Sequence, residues 1–249
     1  MNIEIIYEDD DVVVINKPSG ILMHQDRHHT GMTVADWHVA RIPSVAEVGE
    51  PLRTPSEVIA RPGVVHRLDA ETSGVLLLVK HQDAFVHMKK QFHDRLVKKA
   101  YRAFVYGKMK EGEGKVTRPI GRSARDFRLR SAEKGAKGLL RDAYTEWKCL
   151  LTTSEHSYLE LFPGTGRTHQ LRVHLKSISH PIVADTLYAV SAMEQASDHL
   201  GFERLALHAH TLSVVLPADA PTGKQTLFTA SLPGDFEHAE NLLKDRLTS

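Results

Sequence analysis

The chain has one cysteine in 249 residues, Cys149, so no disulfide can form within it. A lone thiol suits a reducing compartment and excludes a secreted disulfide framework. No apolar run approaches the roughly 20 residues that a membrane-spanning helix needs. The first residues, Met1-Asn2-Ile3-Glu4-Ile5-Ile6-Tyr7-Glu8-Asp9-Asp10-Asp11, lack the basic start and apolar core of a signal peptide. These absences predict a cytoplasmic protein. Net charge is almost absent too, at +1, so the total announces no polyanionic partner. There is no Gly-x-Ser-x-Gly elbow of a serine hydrolase and no Gly-Lys-Ser/Thr phosphate loop. Sixteen histidines raise the question of a metal, but no cysteine pair supports a site. His208 and His210 would share a strand face. His169 and His174, five apart on a helix, would point about 140° away from each other.

What is present is a patterned globular sequence. Hydrophobic residues at 41% and charged residues at 25% allow a large core, as one extended domain or two lobes. Asp11 to Ile15 reads as a short strand ending at Lys17-Pro18. Ile42 to Gly63 holds Pro43, Pro51, Pro55 and Pro62 and reads as an irregular surface excursion. Asp83 to Leu96 is a predicted helix, with Asp83 as N-cap and Phe85, Met88, Phe92 and Leu96 at helical spacing. Tyr101 to Gly107, Ala143 to Leu151 and Ser157 to Phe162 read as strands. Thr168 to Ile178 reads as a helix with Leu171, Leu175 and Ile178 on its buried stripe. Strands over Leu205 to Leu216 and Gln225 to Ala230, then a helix over Asp235 to Leu247, complete the pattern. Hairpin strands with few helices and no βαβ rhythm indicate an α+β fold.

Charge is unevenly spread. Arg118, Arg122, Arg125, Arg128, Arg130, Lys134, Lys137 and Arg141 stand against only Asp126 and Glu133. Lys89, Lys90, Arg95, Lys98 and Lys99 form a second cluster. A charge run often marks no more than a solvated face. Two clusters close to candidate catalytic strands favour a track for a phosphate backbone.

The most informative stretch is His66-Arg67-Leu68-Asp69-Ala70-Glu71-Thr72-Ser73-Gly74-Val75-Leu76-Leu77-Leu78-Val79-Lys80. Val75 to Val79 are five consecutive aliphatics, which reads as a strand buried on both faces. Asp69 stands just before it, and a carboxylate beside such a core is costly unless paired. If Arg67 to Asp69 is extended, the two project from one face. Asp69 is therefore either a catalytic acid at the rim of a rigid strand or a structural turn residue. Further on, Gly164-Thr165-Gly166-Arg167-Thr168 precedes a helix start. Such a turn either admits an anion or simply reverses the chain.

His66-Arg67-Leu68-Asp69 with Thr72-Ser73-Gly74 and its aliphatic strand resembles the central motif of the RluA-type RNA pseudouridine synthases. Asn16-Lys17-Pro18-Ser19-Gly20 is similar to the family's Asn-Lys-Pro-x-Gly. Lys99-Ala100-Tyr101-Arg102-Ala103-Phe104-Val105-Tyr106-Gly107 is similar to its Lys-x-Tyr-x-Ala-x-Val-x-Gly strand. Thr165-Gly166-Arg167-Thr168-His169-Gln170-Leu171-Arg172 is similar to its Thr-Gly-Arg-x-His-Gln-hydrophobic-Arg segment. The four occur in order, and the likeness runs from about residue 5 to about residue 216.

The resemblance implies a mixed, largely antiparallel bent sheet with peripheral helices and a central cleft, forming a single catalytic domain over residues 1–249. It implies isomerisation of uridine to pseudouridine, which involves no redox change and needs no cofactor or metal. Asp69 becomes the catalytic carboxylate, as nucleophile toward C1′ or C6 or as base on a ribose proton. Arg167 becomes its charge partner and Tyr101 the ring that packs on the base. Arg67 fills the place the uridine leaves when it flips out. Lys17, His169 and Arg172 from the matched motifs, with Arg122, Arg125 and Arg128 from the basic cluster, are the candidate RNA-binding residues.

The chain also departs from the family. No small RNA-binding domain is expected before the first motif, so RNA recognition falls to the catalytic domain. Ala184-Asp185-Thr186-Leu187-Tyr188-Ala189 has alanines where the family commonly has glycines. Ala70-Glu71 replaces a pair that often includes a lysine. Ile42 with Val48-Gly49-Glu50 and the Arg61-Pro62-Gly63 lead-in look most like the large-subunit ribosomal RNA members. A transfer RNA enzyme and a silent RNA-binding or ribosome-assembly protein of the same fold stay open. The expected partner is RNA, with no membrane and a monomeric chain.

Overall fold

A computed structural model describes residues 1–25, 31–53, 58–124, 126, 129–196 and 198–248. The strands are β1 (Glu4–Glu8), β2 (Val12–Lys17), β3 (Leu52–Arg53), β4 (Val58–Ile59), β5 (Ser73–Val79), β6 (Lys98–Tyr106) and β7 (Glu113–Val116). They continue with β8 (Ile120–Arg122), β9 (Arg130–Ser131), β10 (Lys137–Arg141), β11 (Thr145–Thr152), β12 (His156–Pro163), β13 (Leu207–Val215) and β14 (Gln225–Thr229). The helices are α1 (Val34–Arg41), α2 (Gln82–His93), α3 (Gln170–Ser177), α4 (Val190–Gln195) and α5 (Gly234–Thr248). The pairs β1–β2, β2–β5, β6–β12 and β11–β12 are all antiparallel, as the α+β reading expects. The described residues form two compact units, 1–98 with 209–231 and 99–208 with 232–249.

In the first unit the apolar run is the spine. All seven residues of β5 are buried, and it pairs with β2 from Val12 opposite Val79 to Lys17 opposite Gly74. Val12, Val13, Val14 and Ile15 are β-branched, which suits a buried pleated strand. Beyond β5 lies β13, and the approach is close. A Cβ on Gly74 would stand 2.1 Å from the carbonyl oxygen of Ala209, and its φ of +114° is a glycine conformation. The glycine of Thr-Ser-Gly is therefore required by backbone approach. Helix α1, absent from the sequence reading, is opened by a capping box in which Thr33 and Asp36 satisfy each other's backbone amides. The start of α2 differs from expectation. His81, not Asp83, is its N-cap, its Nδ1 accepting from the amide of Ala84. The helix ends at His93 with Arg95 at φ +60°, so Leu96 falls outside the stripe and is exposed. The proline-rich excursion holds a 3-10 turn at Pro43–Glu47 and the β3–β4 pair.

In the second unit β6, β12, β11 and β7 pair in that order. Phe236, Ala239 and Leu243 line one face of α5 and pack into a core with Phe104, Leu159, Leu161 and Phe202. Phe104 and Tyr158 stack with centroids 4.3 Å apart. A separate small sheet, β10-β8-β9, carries most of the described part of the basic cluster. Helix α3 begins at Gln170 because His169 takes a left-handed conformation, φ 55° and ψ 22°. Among the expected alanines, Ala184 lies at φ +55°, a region that favours glycine, and is held there rather than relaxed. What holds it is the bonding around Asp185. No helix of the described residues is long and apolar enough to cross a membrane.

Candidate active site

Asp69 sits on a loop stapled at both ends within the first unit. On the incoming side, Val79 donates to the carbonyl of Gly63 at 3.0 Å and Val64 bridges Leu78. The amide of Leu77 donates to Nε2 of His66 at 3.0 Å, and the His66 ring stacks on Phe92 of α2 at 4.5 Å. On the outgoing side the Asn-Lys-Pro-Ser-Gly motif grips the backbone. Gly20 N–H and Lys17 Nζ donate to the carbonyl of Ala70, at 2.8 and 2.9 Å, and Ser19 Oγ donates to that of Glu71 at 2.6 Å. Between the staples, Thr72 N–H closes a turn onto the carbonyl of Asp69 at 3.1 Å. Residues 67–69 are irregular rather than a strand, yet they alternate. Arg67 is exposed, Leu68 buried and Asp69 half-buried, so the arginine and the acid do emerge away from the core.

Lys17 is fully buried. Its ammonium donates to the carbonyls of Pro18 and Ala70. It clamps the Asp69 loop instead of presenting a charge to solvent, a correction to its expected place among the RNA contacts. A strand-end lysine followed by proline gave no sign of this from spacing alone.

The second unit orders the remaining motif residues. Tyr101 lies on β6 opposite Leu161 and is half-buried against the core. Its neighbour Arg102 pairs across the strands with Glu160 at 3.0 Å. Burial pushes the pKa of the Lys99 ammonium down. The turn carrying Arg167 is shaped by Gln170, which is buried. Its Oε1 accepts from Thr165 Oγ1 at 2.7 Å and from the amide of Arg167 at 3.0 Å. Its Nε2 donates to the carbonyl of Tyr144 and to Thr145 Oγ1. Arg167 is half-buried, and its Nε donates to the carbonyl of Asp142 at 3.1 Å. A Cβ on Gly164 would fall 1.8 Å from the Tyr144 ring, so this glycine is needed for packing. The sequence reading missed Gln170, although the Thr-x-x-x-x-Gln spacing holds the signal.

Arg172 is likewise not a surface contact. It is buried and forms a bidentate pair with buried Asp185, at 2.8 and 2.7 Å. Asp185 also accepts from the amides of Leu187 and Tyr188, both at 3.0 Å. Four donors thus satisfy the oxygens of this buried carboxylate. The Arg172 guanidinium lies 5.1 Å from the centroid of the Tyr188 ring. The Tyr188 hydroxyl accepts from the amide of Arg130 at 3.0 Å and bonds Nδ1 of His169 at 2.7 Å. His169, expected as an RNA contact, is thus tied to Tyr188 through one ring nitrogen. Arg122 is exposed on β8, while Arg125 and Arg128 lie outside the described residues.

Histidines that raised the question of a metal have internal duties. His174 bonds Thr145 Oγ1 through Nδ1 and the carbonyl of Arg118 through Nε2. His210 Nδ1 meets the carbonyl of Ala230, and the His208 ring packs on Phe236. Among the described residues no three His, Cys, Asp or Glu side chains converge as a metal site.

Comparison with known proteins agrees with the motifs. The RNA pseudouridylate synthase family profile matches residues 11–177. An uncharacterised RNA pseudouridine synthase of Synechocystis sp. is 35% identical over 248 residues, covering 98% of this chain and 70% of its own length. The ribosomal large subunit pseudouridine synthase D of Neisseria meningitidis serogroup B is 35% identical over 250 residues, covering 98% of this chain and 62% of its own length. The solved structure of human RNA pseudouridylate synthase domain containing 4 superposes with a TM-score of 0.70 at 26% identity. That match covers 97% of this chain and 93% of the human one.

Proposed function

This chain belongs to the RNA pseudouridylate synthase family, and on that premise we propose that it isomerises particular uridines to pseudouridine in large-subunit ribosomal RNA. The observation that carries the reading is the double stapling of the Asp69 loop. Five backbone and side-chain anchors hold one half-buried carboxylate at the entrance of a fully buried strand. Such fixing is what a reacting group needs, since small displacements cost rate steeply. The relative named for the ribosomal large subunit supports the substrate class. The reaction belongs in the cytoplasm, and the chain acts as a monomeric single catalytic domain.

The reaction cuts the N1–C1′ bond, turns the base and rejoins it through C5. A stacked uridine hides the atoms involved, so the base leaves the helix at a cost of a few kcal/mol. Arg67, exposed beside Asp69, enters the vacated position. Tyr101 packs on the flipped base. Arg167 is the residue we assign as charge partner of Asp69. Asp69 then acts on C1′ or C6, or on a ribose proton.

Asp69→Asn is isosteric and removes the carboxylate alone. Turnover on a responsive RNA should vanish while the thermal unfolding transition and RNA affinity hold. Appreciable turnover by the folded variant would remove Asp69 from the chemistry.

A further inference from the structure

The small sheet of the second unit sets three cations side by side. Arg122 of β8 stands directly opposite Arg130 of β9 on one side and Lys137 of β10 on the other. Directly opposed residues share a face, on strands about 4.8 Å apart. Like charges so placed repel and weaken the sheet. No carboxylate relieves them, since none of the three makes an ion pair among the described residues. Elsewhere in the same unit several cations are matched: Arg102 with Glu160, Lys115 with Glu146, Arg204 with Asp235, Lys244 with Glu240.

The row runs into a hollow. A cavity of about 150 Å³ opens between this sheet and α3, walled by Arg130, Ser131, Lys134, Lys176 and Tyr188. It holds space for several waters. Glu133 is the opposing charge on its wall, and among the described residues neither Lys134 nor Lys176 makes an ion pair. The floor is tied to the motif turn, because the Tyr188 hydroxyl bonds both the Arg130 amide and His169.

We infer that the row Arg122, Arg130 and Lys137, with the hollow beside it, binds consecutive phosphodiesters of the RNA strand that carries the target uridine. The inference rests on the functional reading above and names where that site takes the RNA backbone. A polyanion supplies the counter-charge that the fold withholds, and releasing its condensed cations drives binding. The sheet then carries its repulsion only while RNA is absent. A strand seated there would lie one hydrogen-bonded residue, Tyr188, away from His169.

The test compares wild-type protein with an Arg122→Gln, Arg130→Gln, Lys137→Gln triple variant in RNA-binding titrations over a range of salt. Three lost phosphate contacts should flatten the log–log salt slope by about 2, at roughly 0.7 per contact on a single strand. Removing mutual repulsion should leave thermal unfolding at low salt unchanged or raised. Lys115→Gln, which removes a cation already paired with Glu146, should leave the slope as it is. An unchanged slope in the folded triple variant overturns the inference. So does a slope that is unchanged while binding of inorganic phosphate, followed separately, is lost, because the row then holds only a free anion. Should the triple variant fold poorly, Lys134→Gln with Lys176→Gln must flatten the slope by its own two contacts, or the inference falls. Binding is read without turnover, so failure of the functional reading registers separately, in the pseudouridine assay.

Discussion

A buried lysine ammonium is costly unless each donor is used. Lys17 directs two of its three donors to the Pro18 and Ala70 carbonyls, the latter one residue beyond Asp69. Lys17→Met keeps most of the volume and takes this donor from the Pro18 carbonyl, while the Ala70 carbonyl keeps Gly20 N–H, at a cost of about 1–3 kcal/mol for the group left unsatisfied. Urea unfolding should show a loss in that range, and turnover should fall through loosening of the Asp69 loop. The salt slope of RNA binding should stay at the wild-type value, because this charge never faces the solvent. A flattened slope would restore Lys17 to the RNA contacts. The lesson on legibility is local. Lys-Pro and His-Arg-Leu-Asp were visible as motifs, but that one motif grips the other's backbone was not. Side-chain-to-carbonyl bonds over a separation of 53 residues leave no period in a sequence.

At the scale of elements, periodicity served where a strand or helix has a continuous apolar pattern, as in β5 and α5. It failed for α1, where eight residues bury only Val34, Ala35 and His38, too few to draw a stripe. It also misplaced the start of α3, since nothing in the sequence marked His169 as left-handed. The tie that meets His169 there is the Tyr188 hydroxyl, shared with the Arg130 amide. Tyr188→Phe deletes it alone and keeps the ring against Arg172. Two hydrogen bonds go with it, so stability should drop by about 1–3 kcal/mol, at roughly 0.5–1.5 each. Single-turnover isomerisation should slow about fivefold with RNA affinity unchanged. A matching loss of affinity, or no loss of rate, would show that the tie does not position the turn.

At the scale of the whole molecule, three histidines are held neutral by their surroundings. Burial pushes the pKa of His38, His156 and His174 down, with the Val79 carbonyl opposing at His38 and the Arg118 carbonyl at His174. Asp198 and Glu155 pull His156 the other way, and Arg246 adds to the burial. The unfolded chain binds protons at these sites near pH 6.5, the folded chain only below it. Between those values the unfolded state holds more protons, so stability falls as pH drops through 6.5 and recovers above it. Urea midpoints measured at pH 5 and pH 7.5 should show a less stable protein at the lower pH. His156 is the sharpest probe, since among the described residues neither ring nitrogen has a partner at hydrogen-bond geometry. His156→Leu should shrink the pH difference, and an unchanged difference would place the linkage elsewhere.

Neither unit is a single stretch of chain, because residues 209–231 complete the first unit only after 99–208 have been made. On a ribosome, at roughly 5–20 residues per second, that gap lasts on the order of 6–20 s. For all of it β5 lies beside β2 with residues 63–66 covering only its C-terminal half, so the stretch around Gly74 waits for a neighbour, β13, that does not yet exist. Open edges of that kind recruit foreign strands. Gly74, whose missing side chain leaves room for the late arrival of Ala209, lies at this unpaired stretch of the nascent chain.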